Sequence, residues 1–295
     1  MSDFDFSDQA PRATLGAMSL PTDLCLRTGD PGADPRGRRT LPSVPRVRAL
    51  LLGSEMVSEV WDGRTLTNTF WRAYIVDRPG LALTDQDGTR HDYPINGTLI
   101  IPAWCPFIFH SNPAVGHAFI HFITPEIPAG LVQRWWPRPF SLDDPWLLNG
   151  IRELAGRLMS EQPPDIDTHI HALATQAFAR CLDALPRGEF NPQHGRLQPA
   201  LDLINTRLEQ TIAVSDLAKA LGVGAEHCIR LFKRHLGQTP MQYLIDQRLQ
   251  RASELLSNPQ LSISEVARRC GFPNRSYFSR VFARRLGIGP ATYRQ

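Results

Sequence analysis

Hydrophobic positions change their spacing along the chain, and this change divides it into regions of different predicted structure. Between about residues 46 and 125, short apolar runs rich in β-branched and aromatic residues alternate with turn signals. Runs of this length and spacing predict the strands of a β-sandwich or barrel. The preceding segment, residues 1–45, is rich in Pro, Gly, Asp and Arg, and predicts a flexible N-terminal arm.

From about residue 145 the apolar spacing becomes helical and predicts two helices, which end near residue 186. The first carries an apolar stripe at intervals of three and four residues: Leu147, Ile151, Leu154 and Leu158. This stripe either packs on the strands or pairs with a second chain, so the helix from Trp146 to Met159 is the candidate dimer interface. The predicted regions are thus a barrel over 46–140 and a helical dimerisation region over 141–190.

The last hundred residues contain an internal repeat, in which residues 214–240 reappear as residues 263–290. Each copy has a small residue where two helices approach, a glycine suited to positive φ, and a second helix with an apolar face. The repeat therefore predicts two helix-turn-helix units, 214–236 and 263–285. Matched positions in the first copy are Leu217, Ala218, Gly222, Arg230, Phe232, Gly237 and Pro240, and in the second Val266, Ala267, Gly271, Arg280, Phe282, Gly287 and Pro290.

Residues 241–256, between the two units, have apolar positions at helical spacing and are followed by Asn258-Pro259. A continuous helix here would hold the units at a fixed separation, so that their second helices enter successive major grooves roughly 34 Å apart. The predicted fold class is α+β and multidomain. It combines an N-terminal β-barrel with helices and an all-α C-terminal domain, residues 191–295, of two helix-turn-helix units joined by a long helix.

Charge is distributed unevenly between the two halves. From Arg196 onwards there are 15 Lys and Arg against 7 Asp and Glu, whereas the preceding residues carry 17 against 22. A basic module joined to an acidic one indicates that only the basic end meets a polyanion such as duplex DNA. The alternative, a plain helical bundle with solvated arginines, needs neither the duplicated Ala/Gly turn nor the positive charge on both second helices.

Several functional classes find no support in the sequence. The five cysteines are dispersed, which argues against a disulfide framework and a CxxC metal site and favours a reducing compartment. The N-terminus lacks the apolar stretch of a secretory signal, and no apolar run is long enough to span a membrane. No GxGxxG, P-loop or GxSxG motif stands between a strand and a helix. We therefore expect a cytoplasmic protein that is not an enzyme and has no cofactor.

At residues 230–244 and 267–294 the sequence resembles the DNA-binding domain of the AraC/XylS family of bacterial transcription regulators, and the likeness covers about 195–295. It implies a first recognition helix from Ala225 to His235 and a second that begins near Asn274. It also implies the residues that reach bases or phosphates: Glu226, Ile229, Arg230, Lys233, Asn274, Arg275, Ser276, Ser279 and Arg280. Ile229 is apolar where a polar residue is common, so it would contact a thymine methyl group. Ala283 replaces a usual basic residue and removes one phosphate contact.

Residues 91–122 resemble the cupin-like sensory domain of the same family. The resemblance implies a barrel that binds a small effector, for which a sugar is one candidate, followed by helices that form a homodimer. It also implies RNA polymerase as a partner and activation rather than repression. Two alternatives stay open: a metal-dependent cupin enzyme fused to a DNA-binding module, and a DNA-binding protein that needs no ligand.

Strand alternation suggests where an effector would bind. On the strand around residue 72, Arg72 and Tyr74 point one way while Trp71 and Ala73 point the other, and we interpret the first pair as inward. A cation and aromatic faces suit a hydroxylated or anionic ligand, and a buried Arg72 would itself imply a ligand or an internal acid. The candidate effector contacts are Arg72, Tyr74, Trp104, Phe107, His110 and His121.

Four histidines lie near each other in sequence, namely His91, His110, His117 and His121. They could hold a metal ion, line the pocket or serve the structure, but no carboxylate accompanies them in the pattern of a metal-dependent cupin. We therefore predict no metal. The pair Trp135-Trp136 is predicted to pack the barrel onto the helices.

Overall fold

A computed structural model describes residues 46–57, 62–112, 114–158, 166–185 and 196–294. The predicted arm, residues 1–45, and residues 186–195 lie outside the described residues. From Pro45 onwards the chain forms one compact unit, in which a sheet region (residues 46–185) contacts a C-terminal region (residues 196–294). Across the described ranges, none of the helices combines the length and apolar character that crossing a membrane requires.

The strands of the sheet region follow one another with short connections, as the apolar runs predict. They are β1 (Arg48–Met56), β2 (Thr65–Leu66), β3 (Trp71–Val76), β4 (Ala82–Asp85), β5 (Arg90–Asp92), β6 (Thr98–Ile101), β7 (Phe107–His110), β8 (Gly116–Ile123) and β9 (Phe140–Leu142).

These strands form two antiparallel sheets that pack face to face. One has the order β1-β8-β3-β6-β9 and the other the order β2-β7-β4-β5. Apolar side chains from both, among them Leu83, Leu99, Ile101 and Phe107, fill the space between them. The sheet-rich fold is thus confirmed, whereas closure into a single barrel and the cupin-like detail stay predictions, since the described strands pair only within their own sheet.

The other face of the five-stranded sheet is covered by helices, which are α1 (Ala129–Trp135), α2 (Pro145–Leu158) and α3 (Asp167–Asp183). Trp71 of β3 packs in this layer edge-on against Trp136 and Phe178, as predicted for the second tryptophan of the pair. The apolar stripe of α2 lies in the same core, with Leu147 and Ile151 fully buried. The stripe therefore packs on the sheet, one of the two alternatives that the sequence leaves open, and contact between copies of the chain at this helix stays a prediction.

The C-terminal region is helical throughout, and its helices are α4 (Gln198–Thr206), α5 (Val214–Ala220), α6 (Ala225–Leu236), α7 (Pro240–Leu256), α8 (Ile263–Arg269), α9 (Arg275–Leu286) and α10 (Pro290–Tyr293). The pairs α5–α6 and α8–α9 are the two predicted helix-turn-helix units, and α7 is the predicted long connection. The turn glycines Gly222 and Gly271 have φ of 66° and 74°, as the repeat predicts. The sequence thus predicts the architecture of this region correctly.

Contacts join the sheet region to the C-terminal region at several points, of which three follow. The backbone N–H of Gly130 in α1 donates to the side-chain oxygen of Gln238 at 3.0 Å, just after α6. Arg48 of β1 forms an ion pair with Glu254 of α7 at 2.5 Å. The guanidinium of Arg285 in α9 lies over the ring of Trp104 at 5.2 Å. Both helix-turn-helix units therefore touch the sheet region near the C-terminal ends of their second helices.

Candidate nucleic-acid interface and effector cavity

Helices α6 and α9 have the shape of matched recognition helices. Each runs for 12 residues and ends at a glycine in the left-handed conformation, Gly237 with φ 71° and Gly287 with φ 80°. Their buried faces are equivalent, because Cys228 and Phe232 in α6 occupy the places of Phe278 and Phe282 in α9. Each buried face anchors its helix in the core, so that the opposite face is free to meet a ligand.

The residues that the family resemblance assigns to DNA lie on these outer faces. Exposed residues of this set are Glu226, Arg230, Lys233, Asn274, Arg275, Ser276 and Arg280, while Ile229 and Ser279 are partly exposed. In α6 the Arg230 guanidinium lies 3.9 Å from the Glu226 carboxylate and 3.5 Å from His227 Nδ1. Such an exposed pair is weak and can exchange for a phosphate or a base. The positions are suited to DNA contact, and their individual roles stay predictions.

Asn274 has a structural task that the sequence reasoning did not include. Its side-chain oxygen accepts a hydrogen bond from the backbone N–H of Tyr277 at 2.8 Å and caps the start of α9. The cap does not use its amide N–H groups, which can still donate to DNA. His227 and Tyr277 are further exposed residues near the start of these helices that the predicted set omitted. Their place on the outer helical face was the signal that could have identified them.

A cavity of about 610 Å³ lies between the two sheets and is bounded at one end by the C-terminal region. The sheets contribute Arg72, Tyr74, Phe107 and His121 from the predicted effector set. Further lining residues that this set omitted are Asn68, Phe70, Phe109, His117, Phe119, Ser253, Tyr293 and Arg294. Four predicted residues from three separate strands thus meet around one space.

The predictions for Trp104 and His110 differ from what the structure shows, since both lie outside the lining of this cavity. In β7 the cavity receives Phe107 and Phe109, so alternation turns His110 to the other face, where its Nε2 lies 2.7 Å from Thr84 Oγ1. Trp104 stands in a turn with φ 63°, and its ring faces Arg285 instead. These two side chains have structural partners where effector contacts were expected.

The histidines of β8 enter the cavity as neutral groups. Burial lowers the pKa of His117 to about 4. Burial and the nearby positive charge of Arg72 lower the pKa of His121 well below its ordinary value. Neutral imidazoles line the space around Arg72 and can donate or accept one hydrogen bond each. In the described part of the chain, no group of three His, Cys, Asp or Glu side chains is placed to hold a metal ion.

The paired recognition helices, with basic residues on their outer faces, define a DNA-binding domain. A family model described as a helix-turn-helix domain matches residues 217–295. Two curated relatives are the lactose operon transcription activator of Staphylococcus xylosus and the transcriptional activator RhaR of Cronobacter sakazakii. The first is 36% identical over 98 residues, or 33% of this chain and 35% of that protein. The second is 31% identical over 171 residues, which is 54% of this chain and 60% of that protein.

Residues 217–295 are therefore a helix-turn-helix domain of the AraC type. The chain spans about one third to three fifths of the length of these relatives. Among solved structures, ToxT from Vibrio cholerae aligns with a TM-score of 0.57 and 12% sequence identity, covering 82% of this chain and 96% of that one. At this identity the likeness concerns the fold: a sheet-rich N-terminal region followed by a helical C-terminal region.

Proposed function

We propose that this protein is a transcription regulator that binds specific duplex DNA through α6 and α9. The observation that carries the proposal is the matched pair of recognition helices, each with an exposed arginine at the equivalent position, Arg230 and Arg280. One continuous helix, α7, joins their units, so both helices are presented by a single body that can enter successive major grooves. The excess of basic residues from Arg196 onwards supports attraction to the phosphate backbone.

We propose that the regulator responds to a small molecule bound in the cavity between the sheets. Support comes from the size of the cavity, which lies in the range of small-molecule sites, and from its few polar groups set among aromatic rings. The C-terminal region forms part of its wall, so a ligand there would contact both regions at once. A ToxT structure is described as bound to an unsaturated fatty acid, which supports a ligand site in a protein of this fold.

We propose activation as the sense of regulation, because both relatives described above are named activators. RNA polymerase and a second copy of the chain are proposed partners. With the apolar stripe of α2 covered, the proposed contact between copies moves to the outer side of this helix, where Trp146 is 74% exposed. Light scattering of Trp146→Ser beside the unchanged protein tests this contact, and a dimer of equal strength in both would argue against it.

We also propose that the protein is not an enzyme, in keeping with the regulators that it resembles. The discriminating measurement is metal content after purification. Stoichiometric iron, manganese or zinc would favour the metal-dependent alternative.

The experiment that tests the proposed function measures binding of the full chain to a pool of random duplexes as salt is raised. Each phosphate contact releases counterions, so about six contacts would weaken binding roughly a thousandfold between 50 and 200 mM salt. The variant with both Arg230→Ala and Arg280→Ala should bind less tightly at every salt concentration. A full chain that does not bind the pool even at the lowest salt would refute the proposal.

A further inference from the structure

Arg72 is a buried cation without an acidic partner among the described residues. Arg72 is only 8% exposed. Its guanidinium lies between the rings of Phe70 and Phe107, at 5.0 and 5.1 Å from their centroids. With the amide of Asn68 oriented so that its oxygen faces the cation, Arg72 donates to that oxygen from both Nη2 and Nη1, the latter at 2.8 Å. The Nε atom has no acceptor in the described structure. A buried charge held by one neutral amide is costly, since its lost hydration is only partly replaced.

The two carboxylates that line the cavity do not neutralise Arg72. Glu254 pairs with Arg48 at 2.5 Å and with Arg251 at 3.3 Å. Glu55 lies near His117 at 3.9 Å, and its side chain is largely exposed at the rim. Arg72 lines the cavity, and its positive charge therefore meets no acidic side chain of its own in the described structure, a suitable arrangement for an anion that arrives from outside.

We propose that the cavity takes the carboxylate of an organic acid at Arg72, and that the segment Thr65–Phe70 transmits its binding to the second helix-turn-helix unit. The inference rests on the proposed function and names the ligand class and the route of regulation. The remainder of the ligand is apolar, because Phe107, Phe109 and Phe119 line the space beside the guanidinium. Arginine binds a carboxylate with charge-assisted hydrogen bonds, which the neutral amide of Asn68 cannot match.

The segment Thr65–Phe70 touches Arg72 on one side and the C-terminal region on the other. Asn68 bonds the guanidinium through its side chain, while its backbone oxygen accepts from Trp104 N–H at 2.7 Å. The Trp104 ring lies under Arg285 of α9. A carboxylate that takes the hydrogen bonds now accepted by Asn68 thus acts on a residue that supports α9.

Two further contacts join this segment to the end of the second unit. The carbonyl of Thr65 lies so close to Gly287, the last-turn glycine of α9, that a Cβ there would be 2.9 Å from its oxygen. Thr69 lies beside the buried hydroxyl of Tyr293 in α10, near Ser253 of α7. A shift of the segment would therefore move the packing of α9 and α10 together.

The first test is calorimetric binding to the full chain of two acids, 4-phenylbutanoate and decanoate, and of their alcohols, 4-phenylbutan-1-ol and decanol. We expect each acid to bind at least about tenfold more tightly than its alcohol, since a hydrogen bond to a charged group is worth that factor or more. Arg72→Gln should remove this preference, Arg72→Lys should keep part of it, and Arg78→Gln, an exposed arginine of the sheet region, should leave it unchanged. Equal binding of acid and alcohol, an unchanged preference in Arg72→Gln, or no binding of either acid would overturn the assignment.

The second test measures whether the bound acid alters the affinity of the full chain for duplex DNA. We expect a change of about fivefold or more, the usual scale of coupling between sites. Trp104→Leu removes the ring under Arg285 from outside the cavity, so this variant should still bind the acid but lose most of this change, whereas Tyr243→Phe, a buried tyrosine of α7 outside the cavity, should retain it. Coupling of full size in Trp104→Leu would refute the route. DNA binding without acid binding would reject this inference alone, whereas absent DNA binding would reject the proposed function.

Discussion

The guanidinium of Arg285 donates two hydrogen bonds to the carboxylate of Asp246, from Nε to Oδ1 and from Nη2 to Oδ2, each at 2.9 Å. Asp246 is buried in α7, and Arg285 stands in the last turn of α9. Because the same guanidinium lies over Trp104, this pair joins the long helix, the second recognition helix and the sheet region. The planar fork of arginine matches a carboxylate in this two-bond geometry, whereas lysine does not.

Arg285→Ala should destabilise the protein strongly, because it leaves the Asp246 carboxylate buried without its partner. Losing one member of a buried pair costs about 3–5 kcal/mol in the free energy of unfolding. Chemical denaturation measures this loss. Arg284→Ala is the matched control, since Arg284 is the preceding exposed residue of the same helix. Equal stability of the two variants would show that the pair contributes nothing.

Arg230→Ala and Arg280→Ala should each weaken binding to a specific DNA site. If each guanidinium makes a two-bond contact to a guanine, its loss costs about 1–3 kcal/mol and relaxes the base preference at that position. Fluorescence anisotropy with a selected duplex measures the change. Arg78→Ala, in the sheet region, serves as the control for lost positive charge. If one of the two variants binds the selected duplex as tightly as Arg78→Ala does, the arginine replaced in that variant does not contact a base.

The cap of α2 should make stability depend on acid pH. Asp144 Oδ1 accepts from the backbone N–H groups of Trp146 and Leu147, and Oδ2 lies 2.8 Å from Arg180 Nε. Burial alone raises the pKa of Asp144, but the hydrogen bonds and Arg180 outweigh it and hold the pKa below its ordinary value. Its stabilising contribution is therefore present above the ordinary carboxyl pKa of 3.8 and is lost as pH falls through the lower value in the folded protein.

Asp144→Ala should accordingly cost about 1–2 kcal/mol at pH 7, the usual size of a lost helix cap. The difference from the unchanged protein should shrink as the pH of the denaturation experiment is lowered towards 3. Asp143→Ala is the control, because Asp143 is exposed and adjacent. A difference that is constant with pH would mean that the charged carboxylate is not what stabilises the cap.

Gly237→Ala should cost more stability than Gly222→Ala, although both glycines have φ near 70°. Strain in the left-handed conformation is common to both and amounts to about 1–2 kcal/mol. A Cβ on Gly222 would meet open space, whereas one on Gly237 would lie 3.1 Å from the backbone oxygen of Gly130 in α1. Thermal denaturation compares the two, and equal losses would argue against close packing of α1 on the end of α6.

The sequence predicts the C-terminal region well because its signals are local. The repeated glycines and the helical spacing predict both helix-turn-helix units, and the family resemblance implies a first recognition helix from Ala225 to His235, where α6 extends from Ala225 to Leu236. The alternation on β3 is also local, so the sequence correctly predicts that Arg72 and Tyr74 lie on the opposite face of this strand from Trp71. Periodicity alone establishes such features, since it depends on neighbours within a few residues.

The cavity could be predicted only in part, because its composition depends on contacts between distant segments. The pairing of β7 with its neighbouring strands decides which of its faces turns towards the cavity, so that Phe109 enters the cavity and His110 does not. Tyr293 and Arg294 are more than two hundred residues from Arg72 in sequence, and no local pattern indicates that they share its cavity. What covers the apolar stripe of α2 could not be predicted for a similar reason. Amphipathic spacing shows that a face is buried but not which partner covers it.

The most direct test of the central claim is in vitro selection of DNA by the full chain from a library of random duplexes. We predict enrichment of a site with two short elements whose centres lie about one helical turn, roughly 10 base pairs, apart. Selection with Arg230→Ala should lose preference in one element, and selection with Arg280→Ala should lose it in the other. A library that shows no enriched sequence, or a single element that both variants leave unchanged, would contradict recognition of DNA by the paired helices.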